Sequence, residues 1–406
     1  MKIAVIGAGT AGCASALFLS RAGHDVTLFE RVPNPGPVGA GIMMQPSGLL
    51  VLERLGCALP ILERGSRVDA LVVKTTRGRT IMELRYAELE RSLYGIGVHR
   101  GVLFETLFEA VKASRVDLRL GVDVVAFEDR TLRDAEERRH GPYDLVILAD
   151  GARSHLRDSL ARLTWKVTPY PWGALWFIGK FTTPSRELRQ FVEGTARMIG
   201  VLPTGHDIAS LFFSVRVDRK DHWLERENFD AWKKEVRRVA PVTEELLDQI
   251  RAPSDLTLAS YFDVDMPRWH HDISSRSGAA GLVLLGDCAH ATSPQLGQGC
   301  NLALCDAAAL ADALAESDDV RSALDAYTHA RREHLAFYQL ATRALTPVFQ
   351  SDYEPLGIAR DLFTPIATRI PFVRREMLRA MAGTKTGWLW GSMATRMPAI
   401  GSSPDL

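Results

Sequence analysis

The chain has 406 residues, a length at which a single hydrophobic core usually gives way to two or three domains. Hydrophobic residues make up 46% and charged residues 24%, and the formal net charge is zero, so the composition is that of a globular protein and does not favour a nucleic-acid partner. The 5 cysteines are scattered, which argues against a disulfide-stabilised secreted fold and favours a reducing cytoplasm.

The first thirty residues predict a strand, a glycine turn, a helix and a second strand. "KIAVI" (2–6) has the apolar character of a strand buried on both faces, and "DVTLFE" (25–30) is the next strand. Between them Gly7, Gly9 and Gly12 fit G-x-G-x-x-G, and Glu30 lies 18 residues after Gly12. This is the dinucleotide fingerprint, in which the turn and helix start hold a pyrophosphate and the acid binds ribose hydroxyls. An acid there would repel a 2′-phosphate, so the pattern favours FAD or NAD over NADP.

The N-terminal stretch also has the lysine and apolar run of a signal peptide, but the strand-turn-helix interpretation explains its glycines better. No stretch reaches the roughly 18 apolar residues of a membrane span. Helices are predicted at 47–55 and 102–114. "VDLRLGVDVVAFED" (116–129) predicts antiparallel strands, and "YDLVILADG" (143–151) predicts a buried strand.

A second motif, Asp150-Gly-Ala-Arg-Ser154-His-Leu-Arg157, follows that buried strand. An Asp-Gly pair alone is most simply a turn. From about 165 to 276 tryptophans and alternating strands predict an antiparallel sheet that forms a second domain, with a helix inserted near 225–250.

A third motif, "GDCAHATSPQLGQGCN" (286–301), follows the buried strand "GLVLL". Asp287 can present its carboxylate to polyol hydroxyls, and Pro294, Gly297 and Gly299 make a loop with little side-chain bulk. Asn301 opens a helix over 300–316. N–H groups at a helix start favour negative charge, which a reduced flavin carries at its N1–C2 edge.

The same stretch suggests a metal site through Cys288, His290, Cys300 and Cys305. No C-x-x-C pair is present to complete a zinc site. Cys300 and Cys305 would point about 140° apart on a helix. We therefore predict no metal and treat the thiols as incidental.

The three motifs, in this order, resemble the class A flavoprotein monooxygenases of the aromatic hydroxylase (para-hydroxybenzoate hydroxylase-like) type over about residues 1–350. The resemblance implies an α/β fold with a discontinuous Rossmann-like FAD-binding domain, an antiparallel β-sheet substrate domain and C-terminal helices. We expect the domains at 1–72, 97–164 and 277–345 (FAD), 73–96 and 165–276 (substrate), and 346–406 (C-terminal).

The family's chemistry is carried by its cofactor. NADH or NADPH reduces FAD, O2 adds at flavin C4a, and the hydroperoxide transfers one oxygen atom to an aromatic or electron-rich small molecule. The resemblance implies neither a protein nucleophile nor a metal.

The resemblance also assigns cofactor contacts. It places the first motif on the pyrophosphate, Glu30 on the adenosine ribose, Arg100 near the phosphate and ribityl chain, and the third motif against the isoalloxazine. Cys300 departs from the family's small or apolar residue, which a backbone contact should tolerate. The full implied set is Gly7, Gly9, Ala11, Gly12, Glu30, Arg31, Gln45, Arg100, Asp150, Arg157, Asp287, Pro294, Gly297, Gly299, Cys300 and Asn301.

The substrate is expected between the flavin and the second domain's sheet. Candidate pocket walls, each also explained by ordinary sheet packing, are Trp172, Trp176, Phe213 and Tyr261. Three side chains that could deprotonate a phenol, but are more simply structural, are His99, His206 and Tyr94.

Several alternatives stay open. A halogenase or an isoprenoid-type reductase of the same fold is one, although the halogenase motif W-x-W-x-I-P is not matched by "WGALWFIG" (172–179). A nicotinamide dehydrogenase would leave the third motif without a role, and a protein that only holds FAD is a further possibility. The aromatic-rich segment 336–390 favours helix packing over a lid, a homodimer contact or a membrane-surface patch.

Overall fold

The computed structural model describes residues 1–37, 39–128, 130–160, 166–275, 278–388 and 391–393. The strands in those residues are β1 Lys2–Ile6, β2 Asp25–Glu30, β3 Gly41–Met44, β4 Ser66–Val68, β5 Ala70–Thr75, β6 Thr80–Arg85, β7 Gly95–His99, β8 Asp117–Leu120, β9 Val124–Glu128, β10 Thr131–Asp134, β11 Arg139–His140, β12 Leu145–Leu148, β13 Lys166–Lys180, β14 Glu187–Glu193, β15 Arg197–Gly205, β16 Ile208–Arg216, β17 Thr257–Asp265, β18 His270–Ser275 and β19 Gly278–Leu284. The helices are α1 Thr10–Arg21, α2 Pro46–Arg54, α3 Ala58–Arg64, α4 Arg100–Lys112, α5 His155–Ser159, α6 Lys220–Leu224, α7 Arg226–Val239, α8 Glu244–Leu247, α9 Asp287–His290, α10 Gly299–Glu316, α11 Val320–Phe349, α12 Glu354–Ala367 and α13 Pro371–Ala382.

A six-stranded sheet, in the order β18-β19-β12-β1-β2-β8, forms the centre of the Rossmann-like part of the fold. Every pair in it is parallel except β18–β19. β1 and β12 are apolar and buried on both faces because helices cover both sides of the sheet. The parallel strands bring the ends of β1, β2, β12 and β19, and therefore the three sequence motifs, to one edge.

The seven-stranded sheet, in the order β17-β13-β16-β15-β14-β5-β6, is antiparallel apart from the β14–β5 pair. Alternate residues of its strands face opposite sides. On one side Phe213 packs against Trp232 of α7, with ring centroids 6.0 Å apart. On the other side Trp176 packs against Phe212, with centroids 5.1 Å apart. The predicted fold class, a Rossmann-like layer plus a largely antiparallel sheet, is confirmed.

The prediction of antiparallel strands over 116–129 is confirmed for β9 and wrong for β8. β8 is a parallel edge strand beside β2, whereas β9 pairs with β10 in a separate small sheet. Gly121, with φ +71°, ends the first strand and redirects the chain. Two short polar strands separated by a glycine do not reveal from sequence which sheet each will join.

The C-terminal helices complete the fold. α11 runs without interruption across the predicted boundary at 345/346, and the predicted boundaries at 164/165 and 276/277 lie outside the described residues, so the domain limits stay a prediction. None of the helices that the structure describes has both the length and the apolar character needed to cross a membrane.

Candidate active site

The turn between β1 and α1 depends on two glycines, one for its backbone conformation and one for a close backbone approach. Gly7 has φ +99°, a conformation that side chains other than glycine rarely adopt. A Cβ atom on Gly12 would lie 1.8 Å from the Gly7 carbonyl oxygen. α1 begins at Thr10 with Gly9 as its N-cap, and no side chain of the described residues caps that end. The first N–H groups of the helix are therefore left to a ligand, and an anion is the ligand they favour.

Glu30 lies beside this turn at the end of β2. Its Oε2 accepts a hydrogen bond from the Ala8 N–H and its Oε1 one from the Val32 N–H, each 2.9 Å long. Each oxygen keeps a further lone pair for a ribose hydroxyl. Arg31, the next residue, is exposed at the same edge.

The second motif contributes an acid and a buried arginine. Asp150 Oδ1 is buried, and no N–H or O–H group of the described residues donates to it. Arg157 is fully buried, and its guanidinium donates to the Cys288 carbonyl oxygen at 3.1 Å. Arg157 thus fastens the second motif to the third, and the Asp150 carboxylate lies beside the buried Cys288 thiol of that third motif.

The third motif presents backbone to the same edge. Gly286, with φ +60°, directs the exposed Asp287 outward at the start of α9. A 3-10 turn over Pro294–Leu296 leads to Gly297 (φ +61°), and α10 begins at Gly299. The first helical hydrogen bond of α10 is donated by Leu302 N to Gln298 O at 2.8 Å. The N–H groups of 299–301 precede this bond and are not part of the helical hydrogen-bond ladder. That geometry can hold the anionic edge of a reduced flavin.

The Asn301 side chain is committed to the protein, which leaves its backbone for the expected flavin contact. Its Oδ1 accepts from Gln45 N at 2.9 Å, and its Nδ2 donates to Met43 O at 3.0 Å and to Gly297 O at 3.1 Å. Asn301 therefore ties the β3 segment to the 294–299 loop. Arg100, at the start of α4, lies along that segment, with its Cδ 3.0 Å from where a Cβ on Gly39 would stand.

Gln45 is buried at the meeting point of those two segments. Its Oε1 accepts a short hydrogen bond from the hydroxyl of buried Tyr86. Its Nε2 lies 3.9 Å from where a Cβ on Gly297 would be, and no acceptor for it lies within the described residues. An amide donor is thus directed toward the loop.

A buried charge network behind the third motif escaped sequence reasoning. Asp306 Oδ2 accepts from Gly286 N at 2.9 Å and from His290 Nε2 at 2.5 Å, and its Oδ1 accepts from Arg331 Nε at 2.7 Å. Arg331 also bonds His334, whose Nε2 donates to Gly383 O at 3.0 Å. An acid inside the apolar run "NLALCDAAAL" was the available signal, because a buried charge needs a partner.

The network perturbs two pKa values in the same direction. Burial alone would raise the pKa of Asp306, but the charges of His290 and Arg331 outweigh it and hold the pKa at about 2. Burial, reinforced by the Arg331 charge, lowers the pKa of His334 to about 3. We assign Asp306 a positioning role, since it holds the Gly286 turn that presents Asp287.

The aromatic face of the seven-stranded sheet closes the site from the other side. Trp176 Nε1 donates to the Tyr261 hydroxyl at 3.3 Å, and buried Trp172 lies on this same face. Phe213 does not, because its ring points into the core beneath α7. A cavity of ≈ 200 Å³ beside this face is lined by Gly39, Ala40, Trp176, Phe177, Ile178, Asp255 and Thr257.

Two contacts bracket that aromatic face between the candidate cofactor segments. On one flank Gly41 N donates to Ser210 Oγ at 3.1 Å. Ser210 lies on β16, two residues before Phe212. On the other flank Gln295 of the loop donates to Gln350 at 2.8 Å, and the adjacent Phe349 belongs to the same apolar cluster as Trp176 and Phe212.

The candidate bases and thiols all have structural surroundings. His99 Nδ1 accepts from Gly101 N at 2.9 Å and caps α4, Tyr94 stacks under Arg67 at 4.6 Å, and His206 is exposed. Burial raises the pKa of Cys300 to about 11. No cluster of three or more potential metal ligands occurs among the residues that the structure describes.

The residues at this edge of the sheet fit the chemical groups of FAD. The Gly7–Gly12 turn is a cradle that side chains would fill, and the carboxylates of Glu30 and Asp287 suit sugar and polyol hydroxyls. The backbone start of α10 suits the flavin ring.

Comparisons with known proteins agree with this fit. A family model described as "FAD binding domain" matches residues 1–339. The chain is 28% identical to 3-amino-4-hydroxybenzoate 2-monooxygenase of Streptomyces cremeus, over 97% of this chain and 96% of that protein. It is 29% identical to 6-hydroxynicotinate 3-monooxygenase of Pseudomonas fluorescens, over 78% of this chain and 83% of that protein.

The fold matches the crystal structure of pqsL, a probable FAD-dependent monooxygenase from Pseudomonas aeruginosa. The TM-score is 0.76 at 22% identity, covering 89% of this chain and 99% of that one. Because the curated relatives are monooxygenases, the halogenase and isoprenoid-reductase alternatives are not favoured. The chain therefore belongs to the FAD binding domain family, as an FAD-dependent monooxygenase.

Proposed function

We propose that the protein hydroxylates an aromatic or similarly electron-rich small molecule, with NADH or NADPH as electron donor and O2 as the source of the inserted oxygen. The observation that carries the proposal is the aromatic face of Trp176, Phe212 and Tyr261, which is bracketed by the two segments suited to a flavin ring. FAD, when bound, supplies electron transfer from the nicotinamide and activation of O2.

The chain's own residues bind, orient and exclude water. We propose that the Gly7–Gly12 turn and α1 hold the pyrophosphate, that Glu30 and Arg31 hold the adenosine, and that Asp287 and Arg100 hold the polyol and phosphate. The backbone of 297–301 and the Gln45 amide would contact the ring. Asn301 and Arg157 position these groups from behind, since both side chains are bonded within the protein.

The proposed substrate face is apolar, so it favours a flat ring held by stacking and by exclusion of water. The relatives' substrates by name, 3-amino-4-hydroxybenzoate and 6-hydroxynicotinate, are rings with an electron-donating substituent. We propose the same substrate class here, including neutral rings. The five buried or half-buried free cysteines favour a reducing cytoplasm, and a homodimer stays a prediction for light scattering to test.

The experiment follows flavin, donor and oxygen together. The purified protein, loaded with FAD, is mixed with NADH or NADPH and a panel of hydroxylated or aminated aromatic acids and neutral rings, and O2 uptake and product mass are measured. A panel member should accelerate donor oxidation and gain 16 mass units, on the order of one oxygen atom per donor consumed. Failure of every ring compound to do so in a flavin-loaded enzyme would overturn the proposal.

A matched pair of variants tests where the substrate lies. Trp176→Leu removes the proposed wall, whereas Trp223→Leu removes a half-buried tryptophan on the opposite side of the same sheet. We expect Trp176→Leu to raise KM at least about tenfold or to uncouple donor oxidation from product, because it removes stacking area. Trp223→Leu should leave both unchanged, and an equal effect of the two would place the substrate elsewhere.

A further inference from the structure

The outward face of α12 is apolar. Ile358, Leu362, Phe363 and Ile366 are between 53% and 65% exposed, and Ile370 in the following turn is 48% exposed. At about 100° per residue the four helical side chains fall within an arc of roughly 140°. A continuous exposed arc of large apolar side chains marks an interaction surface, unlike single exposed residues. We call these five residues the α12 patch.

The buried residues of α12 are Gly357 and Arg360, so its most exposed large apolar side chains are not the ones that pack against the protein. Arg360 is buried, donates to the Val348 carbonyl oxygen at 3.1 Å and lies over the Phe349 ring at 5.2 Å. Gly357 packs on Gly194, where a Cβ would stand 2.9 Å from that backbone. These contacts fix the rotation of α12, so the α12 patch faces outward because of packing and not because of a loose fit.

Two exposed arginines follow the α12 patch in the chain, Arg369 just after α12 and Arg375 in the first half of α13. Within the part of the chain that the structure describes, neither Arg369 nor Arg375 forms an ion pair. The acids near them in the described residues are already paired, Glu88 with Arg374, Glu376 with Arg379 and Lys385, and Asp361 with Arg360. The two arginine charges are therefore left to a group outside these ion pairs.

We propose that the α12 patch docks on the surface of an anionic lipid bilayer, with its apolar side chains among the acyl chains and the two arginines at the phosphate level. An amphipathic helix followed by basic residues has the composition of an interfacial segment. A second copy of the chain fits less well, because a two-fold interface would set the same patch against itself and supply no acid for the arginines.

The test uses the FAD-loaded, full-length protein in co-sedimentation with vesicles. We expect binding to phosphatidylcholine vesicles that contain phosphatidylglycerol, weaker binding to phosphatidylcholine alone, and loss of binding as salt rises. Phe363→Ser combined with Ile366→Ser should weaken binding at least about tenfold. Leu59→Ser, which changes an equally exposed side chain on α3, should not.

Charge-reversal variants test the role of the two arginines. Arg369→Glu combined with Arg375→Glu should weaken binding to the anionic vesicles only, while Arg219→Glu, at an exposed position preceding α6, should leave it intact. Flavin absorbance and circular dichroism verify that each variant is folded. The proposal is overturned if the unchanged protein stays in the supernatant with anionic vesicles. It is equally overturned if the double serine variant binds those vesicles as strongly as the unchanged protein. It is also overturned if light scattering shows a dimer that the double serine variant dissociates, since a second copy would then cover the patch.

Discussion

The Tyr86 hydroxyl donates a hydrogen bond to the side-chain oxygen of Gln45, and this contact fixes which end of the Gln45 amide faces the 294–299 loop. Both side chains are buried. With Oε1 occupied by Tyr86, Nε2 is presented toward Gly297, where the flavin ring is proposed to lie. Tyr86 therefore acts on the site through Gln45.

Tyr86→Phe removes the hydroxyl and keeps the ring. The buried Gln45 oxygen then lacks its donor, so we expect the free energy of unfolding to fall by about 1–3 kcal/mol. The amide also loses its fixed orientation, which should shift the bound flavin's visible spectrum or raise the substrate KM. Tyr94→Phe is the control, because Tyr94 is half-buried against Arg67. An unchanged spectrum and KM in Tyr86→Phe would show that Gln45 does not contact the ring.

The sequence predicted those parts of the site that are local in the chain. The Gly7–Gly12 turn, Glu30 and the strand before each motif follow from patterns read within about twenty residues. Tyr86, Asp306 and Arg331 could not be found that way, because their partners are 41, 16 and 25 residues distant. The parallel β14–β5 pair and the edge position of β8 are likewise long-range choices between sheets.

The sequence also does not determine which side of the seven-stranded sheet each side chain faces. Phe212 and Phe213 are adjacent and equally apolar, yet only Phe212 faces Trp176. Alternation predicts that they face opposite sides, but not which side carries α7. The outward apolar face of α12 is likewise not evident from the aromatic-rich pattern of this segment.

Gly12→Ala tests the cradle. The added Cβ would meet the Gly7 carbonyl oxygen at 1.8 Å, so α1 must move away from β1 and the helix start can no longer approach a pyrophosphate. We expect FAD affinity to fall at least about a hundredfold, measured by flavin fluorescence titration. Gly36→Ala is the control, since a Cβ there meets nothing within 4 Å. Retention of wild-type affinity by folded Gly12→Ala would place the pyrophosphate elsewhere.

Asp306→Asn tests the buried network. The change leaves Arg331 without its carboxylate in the interior, so we expect the free energy of unfolding to fall by about 3–5 kcal/mol. The Gly286 turn should loosen and FAD should bind more weakly. Asp312→Asn, on the same helix, removes only an exposed ion pair with Arg54 and should cost less than about 1 kcal/mol. Equal losses in urea titrations of the two variants would contradict the positioning role of Asp306.

The low pKa of His334 makes stability depend on pH. Its pKa is about 3 when folded and near 6.5 in the unfolded chain. Between those values the unfolded chain binds more protons than the folded one, so the free energy of unfolding falls as pH drops from 6.5 toward 3. Asp306 adds to this loss only below the ordinary aspartate pKa of 3.8, as pH falls toward its folded pKa of about 2.

His334→Gln separates the contribution of His334 to the pH dependence from that of Asp306, because a neutral amide does not titrate. We expect urea titrations of His334→Gln to show a flatter pH dependence between pH 6.5 and about 4, with a lower stability at neutral pH from imperfect hydrogen bonding to Arg331 and Gly383. His206→Gln changes an exposed imidazole and should keep the wild-type slope. If His334→Gln keeps that slope as well, the proton uptake on unfolding belongs to other groups.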